Sequence, residues 1–176
     1  MQTMARQQPP GSPGERVIPP FRVVIVYEDF QTARQAKQAY EFLVENLRHE
    51  WRLTSQAWKF DLLCLPELRR LAAEDAALAQ VVIVSCRSNG ELPAHVRAWI
   101  KLWLAYKGDN VALIALVDRC LAQAVHAGDT TQAYLERVAQ RARLEFFAWP
   151  QALPKQESLV PKRALAPKTE PLYQAA

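Results

Sequence analysis

Disulfide chemistry is the first thing this sequence lacks. Its three cysteines, Cys64, Cys86 and Cys120, are odd in number and widely spaced, and no CxxC occurs. That pattern fits free thiols in a reducing compartment rather than a disulfide framework. A signal peptide is missing too: the opening MQTMARQQPPGSPGERVIPP is polar and Pro-rich where an apolar core would be needed. No apolar run approaches the roughly 20 residues that span a bilayer. A soluble, cytoplasmic protein is the expectation. His49, His95 and His126 are scattered without metal-ligand spacing, so no metal site is expected.

A strong charge imbalance is also absent. The formal net charge is +4, from 22 basic and 18 acidic residues, and most of it lies at the ends. Residues 1–20 carry net +1 and residues 150–176 net +2, which leaves +1 for the middle. A near-neutral body argues against nucleic acid, whose recognition needs a clustered basic face.

What the chain has is apolar material. Half of its 176 residues are hydrophobic, including five Trp and six Phe, enough for one domain with a sizeable core plus tails. Residues 1–20 hold five prolines and are expected to be a disordered tail. Residues 21–27 (FRVVIVY) read as a strand apolar on both faces, as in a covered parallel sheet. Asp29 is a candidate N-cap for an amphipathic helix from Phe30 to Arg48, with Ala33, Ala36, Tyr40, Leu43, Val44 and Leu47 at three-four spacing. Residues 51–60 read as a more exposed edge strand. Pro66 then opens a helix reaching about Ala79. Residues 80–86 (QVVIVSC) form a third strand, and a helix from Pro93 to Gly108 follows, with Trp99 and Trp103 on its core stripe. Residues 110–117 read as a fourth strand. Asp129 and Gln132 suggest a capping box for a last helix, and residues 144–148 give a fifth strand, at an edge because of Glu145.

Alternating strands and helices with apolar strands imply an α/β domain over residues 21–149, a three-layer sandwich around a five-stranded parallel sheet. The 2-1-3-4-5 order is expected, with any ligand outside the carboxyl ends of strands 1 and 3, at residues 28–32 and 85–90. A final helix after strand 5 is not predicted, because residues 150–176 are Pro- and Lys-rich and carry no helical stripe. The sheet face beside the first helix would then need cover from that tail, from the first helix itself, or from a partner, either a second copy or another protein.

The segment Cys86-Arg87-Ser88-Asn89-Gly90-Glu91-Leu92 resembles the loop after the third strand of flavodoxins, with Gly90, Glu91 and Leu92 matching. The resemblance implies a flavodoxin-like fold. It also implies an FMN site formed by Thr32, Ser85, Cys86, Arg87, Ser88, Asn89 and Gly90, with Trp58 as a stacking face. The chain departs from that family at two points. Arg87 replaces the aromatic that lies against the flavin, and Tyr27-Glu28-Asp29-Phe30-Gln31-Thr32-Ala33 replaces the hydroxyl- and Gly-rich phosphate loop. Two carboxylates there oppose an anion. Glu28 and Asp29 also resemble the acidic pair of receiver domains. The phosphoacceptor position after strand 3 holds Ser85 and Cys86, however, and the Lys position after strand 5 holds Ala148 and Trp149, so phosphotransfer is not expected. Two functions stay open: a non-catalytic binding or interaction module, and an FMN-carrying redox protein.

Overall fold

The computed structural model describes residues 20–87, 90–108, 111–117 and 130–149. The elements, in chain order, are β1 (Pro20–Tyr27), α1 (Phe30–Leu47), β2 (Arg52–Lys59), a 3-10 turn (Phe60–Cys64), α2 (Pro66–Ala77), β3 (Val81–Cys86), α3 (Ala94–Tyr106), β4 (Ala112–Val117), α4 (Thr131–Ala142) and β5 (Glu145–Trp149). The five strands form one sheet in the order β2-β1-β3-β4-β5. All four pairings are parallel. This is the expected flavodoxin-like architecture, with β2 and β5 at the edges. The two tails and residues 118–129 lie outside the described residues, Cys120 and His126 among them.

The strand sequences explain the layering. Every residue of β3 and β4 is buried, as central strands covered on both faces require. On one face Val24, Val26, Val82, Val84, Leu113 and Val117 meet the Ala-rich side of α2 together with Trp99 and Trp103 of α3 and Leu135 of α4. On the other, Phe21, Val23, Ile25, Ile83, Ile114 and Leu116 meet Ala36, Ala39, Leu43 and Leu47 of α1. Helix α1 packs against β1, β3 and β4, so it reaches well across its face of the sheet. Trp99 and Trp103 stack with ring centroids 5.7 Å apart, and the Trp103 indole N–H donates to the Ala76 carbonyl at 3.0 Å, tying α3 to α2. Fully burying side chains of this size contributes about 2–3 kcal/mol each.

Several local expectations are corrected. The fourth helix is capped by Thr130, whose hydroxyl accepts from the Ala133 N–H at 3.2 Å, so the cap falls one residue after the expected Asp129. Helix α2 stops at Ala77, two residues short of Ala79, and the expected connection after β2 closes into the 3-10 turn, with Phe60 and Leu63 buried. Pro20 already belongs to β1. Strand β1 is also not apolar on both faces throughout. Arg22 shares a face with Val24 and Val26 by the alternation of a strand, yet it is exposed.

Candidate functional site

The crevice at the carboxyl ends of β1 and β3 is built by a chain of short contacts. Asp29 and Thr32 form a reciprocal capping box at the start of α1. The Thr32 N–H donates to Asp29 Oδ1 at 3.0 Å, and Thr32 Oγ1 accepts from the N–H groups of Asp29 at 2.8 Å and Glu28 at 3.1 Å. The local sequence dictates this: an acidic N-cap followed three residues later by a hydroxyl satisfies the donors that a helix start leaves open. Thr32 is thereby buried and fully engaged.

From β3 the chain answers with three groups. Ser85, fully buried, donates through its hydroxyl to the Thr32 carbonyl at 2.9 Å. The Arg87 backbone N–H donates to Glu28 Oε2 at 2.8 Å, and the Arg87 guanidinium lies 2.6 Å from Asp29 Oδ2. The Glu28 N–H also donates to the Ser85 carbonyl at 3.1 Å. The loops after β1 and β3 are therefore stitched to each other. Farther along, the Gly90 carbonyl accepts from both the N–H of Thr131, at 3.0 Å, and its hydroxyl, at 2.5 Å, so the second half of the loop is held to the start of α4.

Electrostatics follow the same contacts. The Thr32 N–H holds the Asp29 carboxyl below its ordinary value; partial burial opposes this and the Arg87 charge adds to it. Burial pushes the Cys86 thiol up to about 12, reinforced by the nearby Glu28 and opposed by the Thr131 hydroxyl. A thiol held that far up is a poor nucleophile near neutral pH. Among the described residues no group of three His, Cys, Asp or Glu side chains could hold a metal, and no helix is long and apolar enough to cross a membrane.

Of the residues singled out in the sequence, Thr32, Ser85, Cys86, Arg87 and Gly90 converge on this crevice or its wall. Ser88 and Asn89 lie outside the described residues. Trp58 goes elsewhere: its ring packs against the core under α2 and its indole N–H donates to Asp75 Oδ2 at 3.1 Å. Sequence reasoning missed the Asp29–Arg87 pair. Opposite charges just past the ends of adjacent parallel strands were the available signal.

The residues present do not fit a flavin phosphate. The N–H groups of Glu28, Asp29 and Thr32, which would have to face the anion, are spent on side chains of the same turn. The Arg87 guanidinium is held by a carboxylate, and a second carboxylate, Glu28, caps the adjoining loop.

No protein-family model matches the chain, and no curated protein matches it. Among solved structures it is similar to the flavodoxin-like domain of a Synechococcus protein. The two are 13% identical over 76% of this chain and 85% of that one, with a TM-score of 0.45. It is also similar to a ThuA-like protein from Bacteroides uniformis, at 15% identity over 74% of this chain and 46% of that one, with a TM-score of 0.36. The fold assignment rests on the strand order and parallel register themselves.

Proposed function

We propose that this domain is a non-catalytic binding or interaction module on a flavodoxin-like scaffold, and that it does not carry FMN at the ends of β1 and β3. One observation carries the reading: Asp29, Thr32 and Arg87 use one another as partners at the position where a phosphate would need free donors and a free cation. Displacing that arrangement would strand two carboxylates beside the incoming anion, and like charges a few ångströms apart repel by about 1–4 kcal/mol at effective dielectrics between water and a protein surface. The Cys86 thiol, held protonated, offers no nucleophile to replace the lost cofactor chemistry.

The test is direct. The full chain, purified without added cofactor, is expected to be colourless. FMN fluorescence is expected to stay unquenched when micromolar FMN is titrated with protein. A yellow preparation with a bound-flavin spectrum, or saturable quenching, would overturn the reading.

A further inference from the structure

The sheet carries a second concavity, away from the crevice. It is an open groove of about 390 Å³ on the α2 side of β1 and β2, lined by Arg22, Val24, Thr54, Gln56 and Asp75 together with the backbone beside them. Its volume lies in the lower range of small-molecule sites. It exists because α2 is short and presents Ala72, Ala73 and Ala76 to the sheet, so the helix sits close over β1 and leaves β2 bare. Residues 54–57 of β2 are all exposed.

The polar groups in this groove are ordered along the strands. Arg22 stands opposite Thr54, and Val24 opposite Gln56, so the two rows are separated by about 7 Å. Arg22 makes no side-chain ion pair or hydrogen bond among the described residues, although its central-strand position keeps its root rigid. At the other end Asp75 is half-buried. Trp58 holds one oxygen, Oδ2, through its indole N–H, which leaves Oδ1 as an acceptor with fixed direction. A free guanidinium at one end, an oriented carboxylate at the other and a hydroxyl and an amide between them match a ligand with the opposite polarity.

We propose that this groove binds a small zwitterion of the amino-acid class. Arg22 takes the carboxylate as a fork, Asp75 Oδ1 accepts from the ammonium, and Thr54 and Gln56 complete the hydrogen bonding. Trp58 is a positioning residue: it acts on the ligand only by fixing Asp75. The site goes beyond the interaction-module reading and does not depend on it, since it shares no residue with the Asp29–Arg87 crevice.

The experiment is an amide and indole N–H NMR titration of the full chain with L-serine and L-glutamine at millimolar concentration, each beside its N-acetyl and carboxamide derivative. The expected result is saturable shifts at Arg22, Thr54, Gln56 and the Trp58 indole N–H with at least one free amino acid. Either derivative should bind roughly tenfold to a hundredfold more weakly, as should Arg22→Gln and Asp75→Asn. Asp75→Asn keeps the side-chain shape, Arg22→Gln shortens an exposed side chain, and an unchanged thermal midpoint verifies the fold of both. The proposal is overturned if neither amino acid shifts these signals saturably, if both variants bind as the parent does, or if the shifts fall at the β1–β3 crevice instead.

Discussion

The two sides of β1 make an instructive pair. Toward β3 the fold offers the crevice where doubly wound domains hold ligands, and the chain has filled it with its own groups: Thr32 and Ser85 are buried and Asp29 holds Arg87. Toward β2 no ligand site is expected from topology, yet a groove stays open with Thr54 exposed and with the Arg22 side chain unpaired among the described residues. The difference lies in where polar groups find partners. A capping box, a loop cap and a cross-strand ion pair engage the donors of Glu28, Asp29, Thr32 and Arg87 at the closed end. An exposed edge strand beside a thin, Ala-rich helix leaves donors and acceptors unspent at the open one. Topology marks where a site can form; local satisfaction of polar groups decides whether one is still available.

Cysteine reactivity tests the contrast with the largest expected effect. Cys86 lies under the closed end and Cys64 is exposed beyond the open strand. Raising a thiol from 9.0 to about 12 leaves about a thousandfold less thiolate at mildly alkaline pH. Iodoacetamide labelling read by peptide mass mapping should modify Cys64 in the native protein and spare Cys86; equal labelling would show that the closed end opens readily. The sign for stability follows. The folded state holds this proton more tightly, so the contribution of the neutral thiol is complete below pH 9.0 and is lost as pH rises toward about 12.

Two threonines give the next comparison. Thr32→Val removes the acceptor of the Asp29 N–H, leaving that donor without a partner, and one of the two acceptors of the Glu28 N–H, so it should cost about 1–3 kcal/mol. The same change at exposed Thr54 should stay within about 0.5 kcal/mol. Urea unfolding midpoints of the two variants measure the gap, and equal midpoints would refute the distinction.

Asp29→Ala carries a smaller effect, about 1 kcal/mol for the lost cap with at most about 1 more for the half-exposed ion pair. Its pH dependence identifies the cause. The carboxyl lies below its ordinary value of 3.8 in the folded state, so its contribution is present above that value and is lost as pH falls through the folded pKa. The stability difference between parent and variant, followed by urea unfolding from neutral pH downward, should therefore shrink in acid. A difference that stays constant through that range would assign the loss to something other than the charged cap.

The sequence announced the strands and helices because their periodicities differ: the unbroken β-branched run Val81–Val84 within residues 80–86, against the three-four stripe of α1. Asp29 was readable as a cap for the same reason, being an acidic residue just ahead of that stripe. Arg87 was legible as a departure but not as a partner, because its contact joins residues far apart in the chain and only the strand order brings them together. Arg22 is misplaced because residues 21–27 read as apolar on both faces, whereas Arg22 is exposed. Trp58 reads as a stacking face for a ligand, whereas its ring packs against the core and its indole N–H is held by Asp75. The Thr130 cap was hidden in the sequence by the neighbouring Asp129, an equally favoured capping residue type.

The position of β1 between β2 and β3 also has a bearing on biosynthesis. Strand β1 is made first, but one side of it can be paired only after β3 has been made, and the Glu28–Arg87 hydrogen bond joins residues 59 apart in the chain. Until then a strand rich in Val and Ile has an unpaired edge, the kind of surface that recruits other chains. The polar stitches across the crevice are thus among the last contacts of β1 to close. Their formation marks the point in the life of the nascent chain at which the open edge of β1 is sealed.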